Sequence, residues 1–466
     1  MTDGNYREHV LEVEPFGIDK IPQDERHGRV RQIFTLWFAS NLNIVTWFTG
    51  FLGVELGLSI GYAVLAIIIG NLLGGICLAL SSMVGPELGR PLVPSSEHAF
   101  GLSGMRGVSF LNLLNNIGWL AVNLVLSVLA FQKIIPAMGY HSALLILAAA
   151  TLFIAVYGYN FIHAFSYWMT IMIGILFIIM TYISIHNIPG IMHTVDVVNG
   201  GFNWGIFILA MVVSFSYQIS YCPIGSDYSR YLPENTSKLK IWIATYLGVV
   251  FVAIWLESLG ALSAMVSMNA DPMSNFASLM GIFMIPAMLV VILSLMPINI
   301  MAVYSGGLAL LALGLPMKRW LSAIVTAGLG VLAISFGNGR LASTYQNFLL
   351  LLSYWIAPWL AVVLTDFFLN PVRRQGIKWP AWPGIVSMVS GVILSIPFMS
   401  TTLYTGLLAK QWLDGTDISY FISTTISVLI YLSAIKFKLS ILRNREGQDF
   451  KDQNSVIDDV YSIGHR

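Results

Sequence analysis

Charge is what this chain lacks. Of its 466 residues only 10% are Asp, Glu, Lys or Arg, against about 25% in an ordinary soluble domain, too few to solvate the surface of a globular protein of that length. The 24 basic and 23 acidic residues nearly cancel to a net +1, so no broad basic face exists for nucleic acid. Cysteine is almost missing as well: Cys77 and Cys222 are the only two, both in apolar surroundings, with no metal-ligand spacing and no disulfide framework. No HExxH, Gly-x-Ser-x-Gly or paired-acid constellation interrupts the apolar runs, which leaves a membrane-embedded enzyme without its chemistry. Neither a metal nor a cofactor is expected. What abounds is apolar surface, 56% of the residues, and that composition reads as an integral membrane protein.

A membrane helix needs about 20 mostly apolar residues. Twelve stretches qualify: 33–58, 60–84, 108–135, 142–161, 164–186, 204–228, 241–266, 281–313, 321–336, 346–368, 385–400 and 420–437, the ninth and eleventh being short. The polar stretch ahead of the first run lacks the basic start and immediate apolar core of a secretory signal peptide. With both termini placed in the cytoplasm, all 24 basic residues except Lys133, Arg340 and Lys410 fall on the inner side, as the positive-inside rule asks. The expected layout is a cytoplasmic tail at 1–32, a twelve-helix domain at 33–438 and a second cytoplasmic tail at 439–466.

Several spans carry amides and prolines at mid-depth, where an unsatisfied polar group is costly. Span one reads Ser40-Asn41-Leu42-Asn43 at its centre. Two asparagines two apart cannot share a helix face; either the helix breaks there or it stays intact with two interhelical amide bonds. Span six runs apolar to Val213 and then through Tyr217, Gln218, Tyr221, Pro223 and Gly225, a sequence that favours a break. If the first ten helices are two repeats of five (33–187 and 204–369, with extra helices at 385–437), spans one and six correspond. Interrupted spans at matching places point to a secondary transporter with its site at the midplane. In span three, Asn112, Asn116, Trp119, Asn123 and Ser127 recur every three or four residues and make one helical stripe. Three amides facing lipid would be very unfavourable, so the stripe faces protein or a cavity. Span eight pairs Pro297 with Asn299. Among ionisable residues Glu257 alone lies deep in a span, an acid at mid-membrane being a functional candidate by default; Glu55, Asp227 and Asp366 fall near span ends, where they can reach water or cap backbone.

The chain resembles the nucleobase–cation symporter-1 family, the cytosine, purine, allantoin and hydantoin permeases. The resemblance is carried by Trp37 to Gly50, Asn116-Ile117-Gly118-Trp119 with Asn123, Asn299 ahead of Tyr304-Ser305-Gly306, and above all Ser226-Asp227-Tyr228-Ser229-Arg230-Tyr231-Leu232-Pro233, which looks most like the purine–cytosine permease branch. One loop departs from the family pattern: Gly85-Pro86 and Phe100-Gly101 are present, but Ser96 is followed by Glu97 where relatives often have Arg. The resemblance implies an all-α fold of the leucine-transporter type, a 5+5 inverted repeat plus two C-terminal helices. It implies a base sandwiched between Trp119 and a span-six aromatic, matched to Tyr221, with Tyr217 or Gln218 as alternative placements. Asn299, Asn123 and Asn116 would supply rim contacts, with Ser40 and Asn41 of span one beside them. Residues 294, 297 and 298 match positions that coordinate sodium in sodium-coupled members; here they are Ser294, Pro297 and Ile298, and two of the three offer no side-chain oxygen. The expected coupling ion is therefore the proton rather than sodium, with Glu257 as the coupling group.

A pocket of aromatics and amides without a basic residue suits a neutral base and disfavours a nucleotide. Base faces stack on aromatics, and Asn or Gln amides pair with a base rim bidentately. The expected protein is a monomeric cell-membrane importer of cytosine or purines. A permease for allantoin, a hydantoin or a hydroxymethylpyrimidine, and a passive channel, are the competing expectations.

Overall fold

In hydrocarbon every backbone amide must find its partner within its own segment, which leaves an apolar run only the helix. The computed structural model describes residues 16–157, 159–192, 202–264, 272–334, 341–374, 379–401 and 404–440, and its long elements are all helical. In chain order they are α1 (Val30–Asn41), α2 (Ile44–Glu55), α3 (Ile60–Ser82), α4 (Glu97–Ile134), α5 (Tyr140–Tyr157), α6 (Tyr159–Met192), α7 (Trp204–Ile219), α8 (Lys238–Ala264), α9 (Pro272–Met280), α10 (Met284–Ala312), α11 (Arg319–Ile334), α12 (Leu341–Leu369) and α13 (Trp382–Ser395), then α14 (Ser419–Ser440). Among the described residues seven helical stretches are long and apolar enough to cross a membrane. Shorter apolar helices at Ile44–Glu55, Tyr140–Ala155, Ile171–Ile183, Arg319–Ile334 and Trp382–Phe398 occupy other expected stretches.

Three pairings build the body: α3 lies along α7, α8 against α1, α2 and α3, and α4 along α10 with α11 on both. Small residues set how closely these helices approach. A Cβ on Gly50 would stand 1.8 Å from the carbonyl oxygen of Glu257, and one on Gly260 1.8 Å from that of Trp47. Helices α2 and α8 therefore touch backbone to backbone, and any side chain at either glycine would force them apart.

Much of both expected tails (1–15 and 441–466) lies outside the described residues, as do Arg340 and Lys378. Residues 16–29 are seated on the helix ends instead of trailing away. Ile21 N donates to Gly89 O and Gly28 N to Tyr231 O, while the buried Arg26 donates to Pro86 O at 2.6 Å. Two acids also depart from the expectation of water access. Asp227 and Asp366 are buried. Asp366 accepts from Arg373 Nη1 at 2.6 Å, Asn370 Nδ2 at 2.8 Å and Tyr431 OH at 2.9 Å, with His98 Nδ1 at 2.9 Å. A carboxylate with a cation and further donors needs no water, because its partners replace the lost hydration.

Candidate functional site

The polar centre of the first span resolves as a break. Helix α1 stops at Asn41 and α2 starts at Ile44. Asn43 caps α2: its Oδ1 accepts from Val45 N at 2.8 Å and Thr46 N at 3.1 Å, satisfying donors that a new helix start leaves orphaned. Thr46 Oγ1 in turn donates to the freed Asn41 carbonyl at 2.6 Å. The sixth span breaks too. Helix α7 ends at Ile219, four residues before Pro223, which is where a proline ring obstructs the preceding turn. A 3-10 turn (Cys222–Ile224) and a short helix (Gly225–Ser229) follow.

Between the breaks sits an aromatic box. Trp119 and Tyr221 face each other with planes within 11° and centroids 6.1 Å apart. Tyr217, Tyr345 and Phe348 meet Trp119 edge-on at 5.7, 6.0 and 5.5 Å. Edge-to-face packing of this kind fixes the orientation of the indole. Trp119 Nε1, both amide atoms of Asn123 and Asn299 Oδ1 are buried without a hydrogen-bond partner among the described residues. Leaving such a group bare costs about 1–3 kcal/mol, so the fold keeps these polar atoms at a cost in stability. Asn123 and Asn299 share a level. Arg106 meets Gly314 and Asn116 meets Gly306, so α4 and α10 run antiparallel, and a further step along each reaches these two amides.

The remaining expected site residues divide. Asn116 is engaged on its own helix, donating to Asn112 O at 2.8 Å. Ser40 Oγ donates to Leu36 O and to Met301 Sδ. Asn41, Gln218 and Glu257 form a second cluster beside the aromatic box. Gln218 Nε2 donates to Asn71 Oδ1 at 2.9 Å and to Asn41 Oδ1 at 3.4 Å. Glu257 is fully buried and accepts from Ser214 Oγ at 2.5 Å. Asn71, Ser214, Tyr345 and Phe348 were not expected here. Of these Asn71 carried a sequence signal, an amide between Gly70 and Gly74 in an otherwise apolar span, as did Ser214, which opens the polar stretch after Val213. No group of three or more His, Cys, Asp or Glu side chains that could hold a metal occurs among the described residues.

Long apolar helices around buried polar groups and two interrupted spans define a membrane transport protein. Residues 20–423 match the family described as permease for cytosine/purines, uracil, thiamine, allantoin, and the chain belongs to that family. It is 28% identical to YxlA of Bacillus subtilis, provisionally named a purine-cytosine permease, over 92% of this chain and 97% of that one. It is 24% identical to the purine-cytosine permease fcyB of Emericella nidulans, over 92% and 89% of the two chains. Its fold is that of Mhp1, a nucleobase-cation-symport-1 family transporter, with a TM-score of 0.76 at 17% identity, covering 92% of this chain and 96% of that one.

Proposed function

We propose that the protein imports a nucleobase, cytosine or a purine, by proton-coupled symport with alternating access. The observation that carries this is the near-parallel Trp119–Tyr221 pair together with the unpartnered Asn123 amide and Asn299 Oδ1. The two rings lie near-parallel, with planes within 11° and centroids 6.1 Å apart, and aromatic faces held in that relative orientation are what a flat base stacks on. Amides are both donors and acceptors and can read a neutral rim.

Reading the shorter apolar helices as spans gives twelve, with both termini cytoplasmic and tails at 1–32 and 439–466. An inverted repeat of 33–187 and 204–369 is supported by the packing. Exchanging each span with the one five further on turns the α3–α7 contact into the α8–α1/α2 contact, and α4–α11 into α10–α5, all of which are made. The added spans are 385–437. We take the protein as a monomer.

Competition of cytosine, adenine, guanine and hypoxanthine against labelled uptake tests the substrate class; indifference to all four, with competition by allantoin or a hydantoin, would move the protein to another branch. Asn299→Ala should weaken binding by at least about 1 kcal/mol and reorder the ranking, because rim hydrogen bonds carry identity. A ranking left unchanged removes Asn299 from the rim.

The coupling ion is the proton, with Glu257 as the group that gains and loses it. Ser294 uses its hydroxyl on Val291 O at 2.8 Å, and Pro297 and Ile298 bring no side-chain oxygen, so the α10 contribution to a sodium site is poor. Uptake should persist in sodium-free buffer and follow an inward pH gradient, and Glu257→Gln should lower accumulation more than binding. Strict sodium dependence would overturn this assignment.

A further inference from the structure

The route by which Glu257 could speak to the ring site is built from hydrogen bonds. Gly70 and Gly74 let α3 press on α7: a Cβ on Gly70 would lie 2.8 Å from Ser214 Cβ, and one on Gly74 2.7 Å from Gln218 Cβ. That contact sets Asn71, one residue after Gly70, alongside both Gln218 and Glu257. From Gln218 the path reaches Asn41 at the end of α1. It continues through the Asn41 carbonyl to Thr46 Oγ1, through Thr46 to Tyr217 OH at 2.7 Å, and from there to Tyr221 OH at 3.2 Å. Asn41, Thr46, Asn71, Tyr217, Gln218 and Glu257 are all fully buried.

We infer that Asn71 and Gln218 are positioning residues, an amide relay that converts the proton on Glu257 into the presence or absence of a tie on the break between α1 and α2. An ionised carboxylate only accepts, whereas a protonated one donates. As arranged, Asn71 Oδ1 is taken by Gln218 Nε2 at 2.9 Å. The Asn71 nitrogen donates to Ile67 O at 3.0 Å and is the end of the amide left toward Glu257, whose Oε1 is buried with no hydrogen-bond partner among the described residues; a donor there suits the ionised acid. Protonation puts a donor on Glu257 that calls for the oxygen of Asn71. Turning that amide presents its nitrogen to Gln218, which must answer with Oε1. Gln218 Oε1 is buried with no hydrogen-bond partner among the described residues, so turning the amide takes that oxygen from no existing bond. Once Gln218 turns, its nitrogen leaves Asn41 Oδ1 and the break loses that tie. The turn also gives up the Asn71 Nδ2 bond to Ile67 O; no covalent bond is made or broken, and the proton stays on Glu257. The titratable groups that feel Glu257 are Tyr217 on α7 and Tyr345 on α12. Among the described residues the side chains acting on Glu257 itself are Ser214 and Asn71, so these polar neighbours are the partners that must respond.

The relay rests on the proton-coupled reading above, and the test separates the two. Tritiated cytosine binding to the purified full-length protein is followed against pH, and its exchange and pH-driven accumulation are measured in proteoliposomes. In the wild type, binding should change about fivefold or more across the titration, the usual lower range for coupled sites. Asn71→Leu keeps the side-chain shape and removes the amide; it should flatten that profile and lose pH-driven accumulation while exchange at equal pH continues. Gln218→Met should flatten it too, and stands in should Asn71→Leu fail to fold. A wild-type profile that is flat overturns proton coupling and the relay together. A pH-dependent wild type whose profile both variants reproduce overturns the relay and leaves the coupling reading intact.

Discussion

Trp119→Ala should lower nucleobase affinity about tenfold to a hundredfold, the 1–3 kcal/mol expected for one lost stacking face. The indole is held at both its face and its edges. Tyr221 lies parallel to it, while Tyr217, Tyr345 and Phe348 pack against its rim and prevent rotation. Removing the ring takes away one wall of the slot and leaves Tyr221 to stack alone. Trp119→Phe retains a face and should keep most of the affinity. Equilibrium binding on purified protein, with thermal unfolding to show that the variant is folded, checks this directly. Normal binding by a folded Trp119→Ala protein would make Trp119 a packing residue and place the site elsewhere.

Sequence pattern revealed different parts of this molecule to different depths. Helical spans were legible because a bilayer forces apolar runs into helix, and the span-three stripe was legible because its period is that of a helix. The helix of span three nevertheless reaches back past 108 to a kink at Gly101 (φ 64°), which a short turn from Glu97 precedes, since hydropathy marks the hydrocarbon portion and not the polar turns before it. Pro223 announced the break in span six. The break in span one was ambiguous from sequence, because Asn41 and Asn43 could equally have bonded across helices; the capping of Val45 and Thr46 by Asn43 decides it. Neighbours supplied by other spans stayed hidden. Tyr345 and Phe348 look like any aromatics in an apolar run, and only tertiary packing brings them to Trp119. Asp227 and Asp366 were misjudged for the same reason. Their position near span ends suggested access to water or backbone capping, whereas both are buried, and Asp366 is enclosed by His98 and Tyr431 from distant segments.

Gly50→Ala is expected to be among the most damaging single substitutions, although it adds one methyl group. The new Cβ would stand 1.8 Å from the carbonyl oxygen of Glu257 and 2.5 Å from its Cα. That obstacle is backbone in the middle of α8 and cannot swing aside like a side-chain tip. Relief requires α2 and α8 to separate, which also loosens the reciprocal contact of Gly260 with Trp47 and draws Glu257 away from Ser214. Overpacking costs typically about 1–3 kcal/mol where neighbours can shift, and a rigid backbone contact puts this case at about 3 kcal/mol or more. Gly107→Ala is the matched control: a Cβ there meets nothing within 4 Å, and alanine favours the helix by up to about 1 kcal/mol. Thermal unfolding and monodispersity of the two variants in detergent should therefore move in opposite directions, Gly50→Ala losing folded protein and Gly107→Ala holding or gaining it. A Gly50→Ala protein as stable as the wild type would mean that α2 and α8 do not approach this closely in the membrane, and the placement of Glu257 beside the α1–α2 break would have to be redrawn.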